Sequence, residues 1–234
     1  MFVNQYDPTG TKMTIRPRGR PRSFDRETAV RAAQKLIWQH GFEAMSLSQL
    51  EEAMGIRKSS LYSAFGSKLG LLKEAGDLYL ADFVRQTGQL LSGVETATER
   101  LRAMFGQFAT NFVESGGPLG CFLVSAAHSC SDDNADAVTM LMAQRQAFAD
   151  MIRAEIEAGV EAGEFVPETP VAPLGDFLVS VVHGMSIGAR DGKTGDALRQ
   201  MADFALSVLE RYRALASERP GATNRLEHSG RATA

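Results

Sequence analysis

The chain has 234 residues, 44% hydrophobic and 23% charged, with 25 Lys and Arg against 28 Asp and Glu for a formal net charge of −3. That length buries a real core in one or two domains, and the composition is that of an ordinary soluble globular protein. Two cysteines, Cys121 and Cys130, are too few for a disulfide framework and lack the C-x-x-C spacing of a metal site.

Residues 1–22 have no helical or strand period. They carry Pro8, Gly10, Pro17, Gly19 and Pro21 and read as a flexible basic arm, with Arg16, Arg18, Arg20 and Arg22 close together. Charge is divided unevenly: residues 1–80 hold 12 basic against 8 acidic side chains, and the remainder 13 against 20. A basic first third points to a polyanionic partner. Helical periodicity begins after the arm, with Asp25 as cap, Ala29, Ala33, Leu36 and Ile37 on one face, and Gly41 as the stop. Ser46 and Gln49 have the spacing of a capping box and open a short helix that Gly55 ends. A second short helix runs through Leu61 and Phe65 to Gly66. Ser67 caps a longer one, with Leu72, Ala75, Leu78, Tyr79 and Phe83 in helical spacing.

The remainder is predicted helical too. Residues 99–114 put Leu101, Met104, Phe105, Phe108 and Phe112 on one stripe, broken by Gly116, Gly117 and Pro118. Further helices are expected at about 119–129, 133–162, 173–190 and 194–216, with a polar tail at 217–234. No strand is expected, so the fold class is all-α. The start of the chain lacks the cationic and apolar stretches of a secretory signal, and the segment at about 116–130, the longest apolar one without charge, is too short to cross a bilayer. The expectation is a cytoplasmic, nucleoid-associated protein with no membrane partner.

The informative stretch is LSQLEEAMGIRKSSLYSAFG, residues 47–66. Leu50, Met54, Ile56, Leu61 and Phe65 can pack inward, leaving Lys58, Ser59, Tyr62 and Ser63 on the outer face of the second helix. A slim, polar helix face fits the major groove, and two short helices across a tight glycine turn are the helix-turn-helix design. Ser46 at a helix start, the Tyr62 hydroxyl and Lys68 flank that reader as phosphate contacts.

Gly41-Phe42, Ser46-Leu47-Ser48, Ala53-Met54-Gly55-Ile56 and Ser60 through Lys68 resemble the DNA-binding domain of the tetracycline-repressor (TetR) family, over about Ser23 to Tyr79. The resemblance implies a three-helix DNA-binding domain at 23–70 and a larger helical effector-binding and dimerisation domain at 71–216. It implies a dimeric regulator, most often a repressor, released from double-stranded operator DNA by a small-molecule inducer. By position it assigns Ser48, Arg57, Lys58 and Ser59 to bases, and Ser46, Ser60, Tyr62 and Lys68 to phosphates. Arg57 stands where the family often has a small capping residue, so the reader helix needs another cap. A homodimer through the last two helices is expected, with Leu174, Phe177, Val181 and Met185 on one and Leu198, Met201, Ala205, Val208 and Leu209 on the other. Arg18-Gly19-Arg20-Pro21 resembles the core of an AT-hook, whose arginines enter the narrow minor groove of A·T-rich DNA.

Effector-pocket candidates are Met104, Phe105, Phe108, Phe112, Cys121, Phe148, Met151 and His183. Cys121 lies at a predicted helix start, where the dipole can lower a thiol pKa, so a thiol- or metal-sensing regulator is one alternative, though a buried, inert thiol packed beside small residues is the first expectation. Cys121, His128, Cys130 and His183 match no strong ligand spacing, and neither metal nor cofactor is expected. An architectural minor-groove protein is the other alternative, and a purely solubilising arm is its bland counterpart. Hydrolase, zinc-protease, phosphate-loop and dinucleotide motifs are missing, so no enzyme is expected.

Overall fold

The Asp25 side chain accepts from the Thr28 amide at 2.6 Å and opens helix α1, Arg26–His40. The computed structural model describes residues 24–114, 116–126 and 130–214. Both partners of the capping box predicted for α2, Leu47–Met54, are made: the Gln49 amide donates to Ser46 Oγ and the Ser46 amide to Gln49 Oε1. Gly55 ends α2 in the left-handed region, φ +64°, where a side chain would be strained, and this turns the chain sharply into α3, Lys58–Phe65. Ser67 Oγ then caps α4, Lys68–Leu90, through the Gly70 amide at 2.9 Å.

Four longer helices and one short turn complete the body: α5, Ala97–Glu114; α6, Phe122–Ser125; α7, Ala135–Glu161; α8, Val171–Arg190; and α9, Gly195–Leu206. Among the described residues the only strand-like feature is an isolated bridge, Phe165 to Arg213. The all-α expectation holds.

Two local expectations change. Of the helix expected at 119–129, the described residues form one turn, Phe122–Ser125, which starts late because Gly120 (φ +79°) sits against the Ser186 backbone and the Cys121 amide donates to Ser186 Oγ at 2.8 Å; residues 127–129 lie outside the described residues. The chain is thus pinned to α8 before it can coil. The last helix is α only to Leu206 and tightens to a 3₁₀ helix over Ser207–Tyr212. There the Val166 amide takes the Tyr212 carbonyl and the Ala214 amide takes that of Glu164, which draws the chain out of the helix.

Apolar burial forms two clusters. The first joins Ile37, Phe42, Leu50, Leu61, Leu71 and Leu72 with Phe122, Ala126 and Leu141 from further along the chain. The second is built on Leu101, Phe105, Ile152, Leu178, Met185 and Leu198. Helix α4 serves both, giving Leu71, Leu72 and Ala75 to one and Phe83 to the other. Sequence reasoning placed Leu174, Met185, Leu198, Ala205 and Leu209 on an intermolecular face; all five are buried in their own chain. Helix α8 is apolar nearly all round, so its period does not reveal which side faces in. It also replaces residues 116–130 as the most membrane-like segment by length and composition, but 44% of its apolar window is buried within the protein.

Gly70 fixes how closely α4 approaches the end of α3, for a Cβ there would run into the Phe65 carbonyl oxygen. Backbone cannot yield as a side chain can, so Gly70→Ala is expected to destabilise the N-terminal unit by about 1–3 kcal/mol. Urea unfolding followed by circular dichroism checks this; an unchanged midpoint would refute the close approach.

Candidate nucleic-acid interface and effector cavity

Helix α3 has the two faces its sequence requires. Leu61 is fully buried and Phe65 is 8% exposed, while Lys58, Ser59 and Ser63 are exposed and Tyr62 is 42% exposed. Leu50, Met54 and Ile56 are buried as expected, which holds α2 and α3 on α1. Ser46, Ser48 and Arg57 are also exposed, and Ser60 is half-buried. The sought second cap is missing among the described residues: Arg57 makes no side-chain cap bond, and the first turn of α3 begins with the Ser60 and Leu61 amides on the Arg57 carbonyl. Arg18 and Arg20 lie outside the described residues.

Lys68 behaves differently from a free surface cation. Its ammonium donates to the Phe42 carbonyl at 2.7 Å and lies 4.2 Å from the centre of the Phe42 ring. Burial lowers its pKa, against the opposing pull of Glu43. One of its three donors therefore ties α4 to the α1–α2 turn.

Sequence reasoning missed the side chains that set this unit's geometry. Arg26 donates to both Glu74 oxygens, at 2.7 and 2.5 Å, and to the Ala64 carbonyl at 2.9 Å, with its guanidinium 4.4 Å from the Phe65 ring centre. It joins α1 to α4 and to the last turn of the reader helix. Arg31 pairs with Asp82 at 2.6 Å and also with Glu27, joining α1 to α4 a second time. Glu43 accepts from the Ser131 amide and hydroxyl and from Asn134 Nδ2, joining the α1–α2 turn to the start of α7. Apart from the i,i+4 pair Glu27–Arg31, the partners stand far apart in sequence, and no local pattern announces them.

Behind the DNA-binding unit lies a narrow cavity of about 20 Å³, lined in part by Phe83, Phe108, Phe148, Cys121, Arg145 and His183. Phe112 also lines it. Five expected pocket residues, Phe108, Phe112, Cys121, Phe148 and His183, therefore meet. Met104 and Phe105 are packed away in the core and Met151 lies against its edge, since the α5 stripe is wide enough to serve both core and cavity. The Cys121 thiol is pushed up by burial, which outweighs the Tyr79 hydroxyl and the Val124 and Leu123 amides that pull it down. The helix it precedes, Phe122–Ser125, is one turn long and offers little dipole to lower the thiol. Burial, with Arg145 beside it, holds His183 below its ordinary value. Among the described residues no three His, Cys, Asp or Glu side chains are grouped to hold a metal. His128 lies outside the described residues.

Two family descriptions match this chain: "Bacterial regulatory proteins, tetR family" over residues 29–75, and "Tetracyclin repressor-like, C-terminal domain" over 97–206. The chain is 33% identical over 199 residues to the HTH-type transcriptional repressor ComR of Escherichia coli K12, covering 85% of this chain and 95% of that one. The chain belongs to the TetR family. It is 30% identical to the repressor BdcR of the same organism, over 83% of this chain and 94% of BdcR. A cysteine mutant of the TetR-family regulator CifR, solved with 26-bp double-stranded operator DNA, superposes with a TM-score of 0.76 at 33% identity, covering 82% of this chain and all of that one. As a TetR-family member the protein is a sequence-specific DNA-binding transcriptional regulator, with an N-terminal helix-turn-helix and a larger helical C-terminal domain.

The links from α1 to α4 and from the α1–α2 turn to α7 titrate. Arg31, then Arg85, holds the Asp82 carboxyl below the usual range, and Ser131 and Asn134 do the same for Glu43. Both are depressed acids, so their stabilisation is fully present above about pH 5 and is lost as pH falls through the lower folded values. Acid unfolding of the Asp82→Asn variant, followed by near-ultraviolet circular dichroism, is expected to show a shallower loss of stability below pH 4 than the parent. Coincident curves would refute the link.

Proposed function

We propose that the protein is a dimeric repressor that leaves its operator when a small organic molecule enters the C-terminal domain. The observation that carries the DNA-binding part is the two-faced α3, apolar inward through Leu61 and Phe65, and slim and polar outward through Lys58, Ser59 and Tyr62. Ser48, Arg57, Lys58 and Ser59 face bases in this reading, and Ser46, Ser60, Tyr62 and the two remaining donors of Lys68 face phosphates. Arg18 and Arg20 of the arm enter the adjacent minor groove. The names of ComR and BdcR as repressors, and the operator complex of CifR, support this reading.

One reader helix covers only a few base pairs, so two copies spaced by about 34–36 Å, or a multiple, read a near-palindrome. The exposed apolar side chains Phe177 and Ile187 of α8 and Phe204 of α9, the last 86% exposed, support a second copy as the occupant of that face. Release follows the chain through α6. Cys121, Leu123 and Val124 line the cavity, and the next residue but one, Ala126, accepts from the Phe42 amide at 2.7 Å in the α1–α2 turn. A ligand that spreads the cavity shifts α6 and with it the reader, provided it binds the DNA-free form more tightly.

Lys58→Ala is expected to cost about 1–3 kcal/mol of operator binding and to relax the preference for operator over bulk DNA. Removing residues 1–22 is expected to weaken binding and to flatten the dependence of log K on log salt by about one for each arginine that leaves a phosphate. Fluorescence anisotropy at several salt concentrations reads both; an unchanged slope would remove the arm from the interface. Phe204→Glu is expected to yield monomers by sedimentation, with operator affinity falling in step, and a dimer of unaltered strength would place the interface elsewhere.

A further inference from the structure

Arg145 has no carboxylate partner among the described residues. Its only side-chain hydrogen bond there is from Nη1 to the Leu123 carbonyl at 2.7 Å, and the residue is half-buried on the wall of the cavity. A buried cation is costly unless paired, and an arginine offers five donors in a fork that suits a carboxylate. The other polar groups on that wall are Tyr79, Cys121 and His183; none of them is a carboxylate. The remainder is apolar, with Phe83, Phe108, Phe112 and Phe148. The cavity thus lacks the one kind of group that would complete Arg145.

At about 20 Å³ the cavity admits little more than a water molecule. Beside it is an open cleft of about 290 Å³ between α1, α4 and the loop at Gly117 and Pro118. Tyr79 and Phe83 of α4 line both spaces and form the partition between them. The partition is lightly latched: the Tyr79 hydroxyl donates to Cys121 Sγ at 3.4 Å, and sulfur is a weak acceptor.

We propose that cleft and cavity are two halves of one effector site for an apolar organic acid. Its carboxylate meets Arg145 beside His183, its apolar body lies among the phenylalanines, and Tyr79 swings away from Cys121 to admit it. This assignment rests on the ligand-released repressor reading and gives that ligand a chemical class. It also makes the cleft, one wall of which is α1 of the DNA-binding unit, the entry route.

Trp38 is the only tryptophan in the chain, lines the cleft, and meets Tyr79 edge-on at 5.3 Å between ring centres. Its fluorescence therefore reports on the partition. Octanoate and octan-1-ol are suitable probes for the full chain, being alike in apolar body and transparent where tryptophan absorbs. Octanoate is expected to bind about tenfold or more tightly than octan-1-ol, the scale of a charge-assisted hydrogen-bonded pair, and to change Trp38 emission. Arg145→Gln is expected to abolish the preference and Arg145→Lys to keep part of it. Equal binding of the two probes, no binding of either, or a preference that survives in Arg145→Gln overturns the proposal. The comparison in the parent protein stands even if a variant fails to fold. An operator-release assay with octanoate separates the two readings: selective binding that leaves the DNA complex intact keeps the site and removes ligand release. Release by octan-1-ol without selectivity keeps ligand release and overturns the acid.

Discussion

Phe122 is fully buried between the two parts of the molecule, 6.0 Å from the Trp38 ring centre and 5.8 Å from that of Tyr79. Trp38 and Tyr79 themselves meet edge-on. This three-ring contact joins α1, α4 and α6 at one point, and the Phe42–Ala126 backbone bond lies beside it. A cluster of large rings has few alternative packings, because interiors are close-packed and deform by jumps more readily than by creep. The orientation of the reader relative to the C-terminal domain depends on that contact, and so does any message that passes between them.

The ion pairs around the joint set direction more than stability. Arg26–Glu74 and Arg31–Asp82 both run from α1 to α4, and all four side chains keep some exposure to water. Pairs of that kind contribute modestly, on the order of 1 kcal/mol or less each. Their forked geometry nevertheless fixes how α1 sits along α4. Arg26 adds the Ala64 carbonyl and the Phe65 ring, so it holds the far end of the reader helix to the same frame. The exposed face of α3 is thereby presented from a rigid base, as a helix that must match bases by hydrogen bonds requires.

Much of the DNA-binding unit was legible because its signals are local and chemical. Asp25, the Ser46–Gln49 box, Gly55 and Ser67 each act within three or four residues, and each performs the predicted task. The inward set Leu50, Met54, Ile56, Leu61 and Phe65 followed from helical period alone. The body was harder to read. Helix α8 is apolar on almost every side, so the sequence did not reveal that Leu174 and Met185 face inward while Phe177 and Ile187 face out. The one-turn α6 depends on Ser186, 65 residues beyond Cys121. Burial, likewise a tertiary property, decides between the two readings of the Cys121 thiol and pushes it up, toward the inert one. Arg145 looked like any charge on an amphipathic helix, and only the fold turns it toward a cavity.

The state of that cavity bears on how a ligand acts. Phe83 stacks on Phe108 at 4.8 Å, and Phe148 meets both edge-on at 5.9 and 5.3 Å. These rings fill with their own surface the space an apolar molecule would take. A ligand larger than a water molecule has no room in this conformation, so whatever enters must select or create another. Separating the rings costs dispersion contacts, which the ligand's own apolar surface restores in the expanded form. In the proposed ligand-released repressor, coupling then follows from the packing: the filled and the collapsed arrangements exclude one another, and the cavity lining includes Cys121, Leu123 and Val124, close in sequence to the Phe42–Ala126 bond. A site that stood open in both arrangements would bind its ligand without biasing either. On the proposed reading, self-filling is what makes ligand occupancy and the operator-bound reader orientation alternatives.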